Sequence, residues 1–129
     1  MKRSTIIRRI PGAFISIVII AAGCAKIAAI PALVAIYTKI GLLAYLTILG
    51  IAEIALAVLF FIPATTRLGL LFLTAYYGGA MAVELSHGQL FVVPGIILSI
   101  IWLSAYLRDP GMFIFSARKG NAVKSLWME

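Results

Sequence analysis

Residues Ile40 to Ala64 read IGLLAYLTILGIAEIALAVLFFIPA, an apolar run with a single charge, Glu53, close to its middle. About 20 such residues suffice to cross the hydrocarbon layer of a bilayer as a helix. A lone carboxylate at that depth is costly unless it is paired or protonated. The remaining membrane segments are therefore the place to look for groups that face Glu53.

The composition agrees with that reading. Of 129 residues, 64% are hydrophobic and 12% are charged, and the mean hydropathy is +1.14, far from the average of a soluble domain. These values imply an all-α integral membrane protein whose first partner is the lipid bilayer. A net charge of +7 could suggest nucleic acid, but the basic residues sit in short clusters beside apolar runs, which is how topology signals are arranged. No nucleic-acid partner is expected. Cys24 is the sole cysteine, which excludes an internal disulfide and any CxxC redox or zinc pair within one chain. No metal site and no intrinsic cofactor are expected.

Four spans follow, at about 10–30, 41–62, 68–85 and 90–107, with a basic tail over 108–129 in a single domain. The first is preceded by Lys2, Arg3, Arg8 and Arg9. Ala21-Ala22-Gly23-Cys24 bears a faint likeness to a lipoprotein cleavage box, but Ala21 stands where a larger aliphatic residue belongs, and an uncleaved first helix is the preferred reading. Gly12, Ser16, Gly23 and Lys26 form one helical stripe whose small residues suit close helix approach. Pro31 to Lys39 is too short to span and reads as an interfacial turn of helix or a loop. The N-terminus, the Arg67 turn and the tail carry nine of the eleven Lys and Arg residues, leaving Lys26 and Lys39 on the other side. Both termini are thus expected to be cytoplasmic in an inner-membrane, multi-pass protein.

Depth along each span, at about 1.5 Å per residue, brings Glu53, Tyr76, Tyr77 and Ser99 to one level near the middle. Lys26 and Glu84 lie roughly 9 and 11 Å outward of it. Helical side chains lean toward their own N-terminus, so Lys26 leans inward and Glu53 outward, and the two can meet, with Glu84 competing. His87 follows Glu84 by three residues and shares its face if the helix continues that far. Lys26, Glu53, Tyr76, Tyr77, Glu84, His87 and Ser99 are the candidate ligand-binding or buried polar network. The plainer expectation is that these residues glue helices together without chemistry. Cys24 and the Gly78-Gly79 pair read as packing positions.

Gly23 with Lys26, Leu49-Gly50-Ile51-Ala52-Glu53, Pro63 with Arg67-Leu68-Gly69, the run Leu73 to Ala80 and Tyr106-Leu107-Arg108-Asp109-Pro110 together resemble the DoxX-like family of small four-helix membrane proteins. The resemblance covers about Gly23 to Pro110. Many members carry a histidine after the Gly-Gly-Ala turn of helix; this chain carries Glu84 there. The resemblance implies a four-helix membrane bundle and association with a quinone-linked redox system, with a quinone or lipid-like molecule beside the buried network. Electrons would come from an oxidoreductase partner, since catalysis by the chain alone is not expected. A membrane assembly factor or chaperone, and a small proton-coupled transporter, are the alternatives. A homo-oligomer is compatible with each.

Overall fold

The computed structural model describes residues 2–113; the basic residues Arg118, Lys119 and Lys124 of the tail lie outside them. Among the described residues the regular structure is entirely helical: α1 (Lys2–Ile27), α2 (Pro31–Lys39), α3 (Leu46–Phe61), α4 (Thr66–Ser86) and α5 (Val92–Arg108), with short 3-10 turns at Leu43–Tyr45, Pro63–Thr65 and Pro110–Met112. The stretches Ile6–Ile27, Leu43–Phe61 and Pro63–Ser86 are each long and apolar enough to cross a membrane, and α5 is a shorter apolar helix.

Apolar side chains cover the outside as well as the inside. Ile6, Ile10, Phe14, Ile17, Ile48 and Leu71 are all more than half exposed. A helix that is apolar all round suits lipid rather than water, and soluble monomers do not carry such extended apolar surfaces. The chain is a membrane protein built as a helical bundle.

Burial follows a seam of three- and four-residue steps. In α3 it runs Leu46, Gly50, Glu53, Ala57, Phe60; in α1 it includes Gly12, Ser16, Ile19, Gly23 and Lys26; in α4 it runs Thr66, Gly69, Leu73, Tyr77. That repeat keeps one narrow face of each helix turned to its neighbours, as in left-handed helix pairs. The four long helices touch in cyclic order, α1 on α3, α3 on α4, α4 on α5 and α5 back on α1. Each is antiparallel to the next: Gly12 lies near Phe60 and Gly23 near Gly50, while Gly69 meets Phe60 and Gly95 faces Met81. Phe60, Ile15, Ile19, Leu73 and Ile101 fill the centre.

The end of α3 shows how a helix C-terminus is satisfied by neighbouring side chains. Its last carbonyls have no partner within the helix. Thr65 donates its hydroxyl to the Leu59 carbonyl at 2.7 Å, and the single hydroxyl hydrogen of Thr66 is shared between the Ile62 carbonyl at 2.9 Å and the Phe60 carbonyl at 3.2 Å. Arg108 reaches across from α5 and donates to Phe60 at 2.9 Å and Phe61 at 2.8 Å. One corner thereby fastens α3, α4 and α5.

Several boundaries differ from the hydropathy reading. Helix α1 begins at Lys2 rather than near residue 10 and carries Pro11 within it, because basic side chains end a hydrophobic run without ending a helix. Helix α3 begins at Leu46 rather than residue 41: Gly41 adopts φ 72° and a 3-10 turn intervenes, although the apolar run continues unbroken through the turn. Pro31–Lys39 is a true short helix with proline in its first turn. Cys24 is exposed rather than packed. Gly78 and Gly79 are likewise exposed, and a methyl group on either would meet nothing within 4 Å. Gly78→Ala is therefore expected to leave the bundle intact and raise its thermal midpoint, by up to about 1 kcal/mol of stability from helix propensity alone. Thermal unfolding in detergent checks this; a fall in midpoint would mean that the face is covered.

Candidate functional site

The site is set by a crossing of two glycines. A Cβ on Gly23 would lie 2.7 Å from the backbone oxygen of Gly50, and a Cβ on Gly50 would lie 2.7 Å from that of Gly23. Helices α1 and α3 thus touch backbone to backbone, as small residues permit in membrane bundles. Lys26 and Glu53 each follow their glycine by three residues. Because the helices are antiparallel, the two residues sit on opposite sides of the crossing, about 4.5 Å along the axis in each direction. Their side chains lean back toward their own N-termini, and so toward each other.

They meet there. The Lys26 ammonium donates to Glu53 Oε2 in a buried ion pair, and the Tyr77 hydroxyl donates to Oε1 at 2.5 Å from α4. Glu53 is 1% exposed, Tyr77 4% and Lys26 8%. Both carboxylate oxygens are therefore occupied by donors from the neighbouring helices, which is the condition under which a charge pair can be buried. Tyr76 takes a different direction: its ring stands edge-on to Tyr77 at 5.2 Å between centroids, and its hydroxyl donates to the Leu49 carbonyl at 3.3 Å.

A cavity of about 340 Å³ opens beside this triad. Lys26, Glu53, Tyr77 and Glu84 give it a polar side, and Leu33, Ile36, Val93 and Ile97 an apolar one. A second cavity of about 260 Å³ adjoins it, between α2, α3 and α4. Tyr37, Tyr76 and Glu84 line both. One oxygen of Glu84, Oε2, is buried with no hydrogen-bond partner. A buried acceptor without a donor is an uncommon expense in a folded protein, and here it belongs to a residue that borders two cavities. The volumes fall at or just below the lower end of the range of roughly 300–1,000 Å³ for small-molecule sites.

The remaining candidates lie elsewhere. Ser99 is exposed on α5 and donates to the Gly95 carbonyl of its own helix at 2.8 Å; its depth is legible in the sequence but its side of the helix is not. Helix α4 stops at Ser86, so His87 caps it instead of sharing a face with Glu84. Its Nδ1 lies 2.9 Å from the Val83 carbonyl and 3.0 Å from the Ser86 hydroxyl, on the exposed surface.

The structure also adds residues. Tyr37 belongs to α2, between the spans, and lines both cavities. Burial first, then the carboxylates of Glu53 and Glu84, push its phenol up to about 12, so it remains a neutral O–H donor at physiological pH. Leu33, Ile36 and Tyr37 recur at i, i+3 and i+4, a one-faced helical pattern that is present in the sequence. Ala80, one turn beyond Tyr76 and Tyr77, borders both cavities and limits their width.

Comparison with protein-family models, with curated proteins and with solved structures finds no match. The chemistry open to this chain is therefore judged from the geometry of its site.

Proposed function

We propose that this chain is a small membrane protein of the DoxX-like type that holds a lipid-soluble, quinone-sized molecule in the cavity beside Lys26, Glu53 and Tyr77, in association with a membrane redox system. The observation that carries the reading is the unpartnered Glu84 oxygen in a cavity whose opposite walls are apolar. A quinone offers carbonyl acceptors and a quinol hydroxyl donors. Tyr37 supplies an O–H group for a carbonyl, and Glu84 supplies the acceptor for a quinol hydroxyl. The chain's own residues thus bind and orient such a molecule; electrons would come from an oxidoreductase partner. The distribution of Lys and Arg favours a plasma-membrane orientation with both termini in the cytoplasm.

The test is ligand-dependent thermal stabilisation of the purified protein in detergent, with a short-tailed benzoquinone compared with the matching alkylbenzene. Ala80→Phe fills the cavity from its wall without removing a polar group. The wild type is expected to gain stability with the quinone and not with the hydrocarbon, and Ala80→Phe to lose that gain while keeping its helicity. Equal gains from both compounds would remove quinone recognition from the proposal.

A second reading has one observation in its favour: Glu53 is already saturated by Lys26 and Tyr77. In that case the pair serves the bundle alone, and the protein acts as a membrane assembly factor. Function per folded molecule would then survive Glu53→Gln.

A further inference from the structure

At the opposite end of the bundle, away from Glu53, four arginines converge. Arg8 and Arg9 at the start of α1, Arg67 at the start of α4 and Arg108 at the end of α5 line a cavity of about 430 Å³, closed below by Pro63 and Thr66. Asp109 is the only acidic residue in its wall, and its Oδ1 accepts the Gly111 N–H at 3.0 Å. Among the described residues the only ion pair is Lys26 with Glu53, so none of the four guanidinium groups is matched there by a carboxylate. Arg108 is held in place by its bonds to the Phe60 and Phe61 carbonyls, and its remaining N–H groups are available to a ligand.

A groove of about 360 Å³ joins this cavity and shares Arg9, Pro63 and Arg108 with it. Its other walls are Ile6, Ile10, Ala13 and Phe61, on the exposed apolar surface of α1 and α3. A concentrated positive pocket thus continues into an apolar channel at the level where the membrane helices end. A free anion would use only the first part. A phospholipid uses both, its phosphate on the guanidinium forks and an acyl chain along the isoleucines.

We propose that this end of the bundle is a binding site for one anionic phospholipid. Zwitterionic lipids carry the same phosphate but bring a cationic group into a pocket that already has an excess of positive charge. The site is therefore selective for lipids whose headgroup is net negative.

The full chain, purified in detergent with equal amounts of phosphatidylglycerol and phosphatidylcholine of identical acyl chains, can be analysed by native mass spectrometry. The one-to-one adduct is expected to favour phosphatidylglycerol by about tenfold or more, the range that one or two charge-assisted contacts provide. Excess inorganic phosphate should fail to displace it. Arg9→Gln with Arg67→Gln, two exposed positions, should bring the two lipids to parity at unchanged helicity. Equal binding of both lipids to the wild type overturns the proposal. So does displacement by inorganic phosphate, which would make this a site for a free anion. The wild-type measurements decide the matter even if the double variant does not fold.

Discussion

Glu53→Ala is expected to destabilise the bundle by about 3 kcal/mol, the lower end for breaking a buried pair, because it leaves the Lys26 ammonium without its counter-charge and removes the acceptor of the Tyr77 hydroxyl. The effect comes from what remains behind more than from the contact that is lost. Removing both charges should therefore be milder than removing one. Lys26→Met combined with Glu53→Leu is expected to be more stable than either single change, since apolar residues of similar volume replace a buried pair at little cost. Glu53→Gln should fall between wild type and alanine, keeping an acceptor for Tyr77. Unfolding in mixed detergent, read by helicity, supplies the comparison. Additive losses in the double variant would show that Lys26 and Glu53 act independently, against the contact between them. The same double variant separates stability from function: if the wild type shows the quinone-dependent stabilisation proposed above, loss of that gain in a folded double variant would assign the pair to the ligand as well as to the bundle.

Gly69→Ala ranks second. A Cβ at Gly69 would lie 2.4 Å from the Phe60 amide nitrogen and 2.5 Å from its Cα, and neither atom can swing aside. Helix α4 would have to move away from the last turn of α3, at the corner where Thr65, Thr66 and Arg108 satisfy the carbonyls of residues 59–62. Overpacking typically costs about 1–3 kcal/mol and occasionally more. Alanine returns up to about 1 kcal/mol through helix propensity. With backbone on one side and a shared hydrogen-bonded corner on the other, the net loss is expected near the upper end, about 2 kcal/mol or more. The thermal midpoint of Gly69→Ala set against that of Gly78→Ala gives the cleanest measurement. The two substitutions are chemically identical and lie in the same helix, so an equal response would discount the close approach.

The membrane character and the helical plan are legible in the sequence because apolar runs of spanning length are a direct consequence of the bilayer's thickness. Lys26 and Glu53 are legible because a charge inside such a run stands out, and the stripe from Gly12 to Lys26 carries the helical period. Rotation and termination are not. Tyr76 and Tyr77 differ by about a third of a turn, and only packing shows that Tyr77 turns to Glu53 while Tyr76 turns to Leu49. Ser99 lies at the expected depth but on the outer face. Hydropathy does not register the turn at Gly41, since apolar residues continue through it, nor the end of α4 before His87. The reach of Arg108 to the end of α3 joins residues far apart in the chain, and no local pattern announces it.

The ion pair at the glycine crossing also bears on how the chain enters its membrane. Lys26 lies one residue from the end of α1, close enough to the interface for its long side chain to extend toward water. Glu53 is in the middle of α3, where an unpaired acidic residue costs about 2.5–3.5 kcal/mol on insertion scales. The first helix can therefore be inserted alone, whereas the second becomes inexpensive only when its partner is already in place. Chain order supplies that sequence of events: α1 arrives first, α2 makes the turn, and α3 meets a waiting cation. The pair that holds the finished bundle together is thus also a reason for the hairpin of α1 and α3 to be its earliest assembled part.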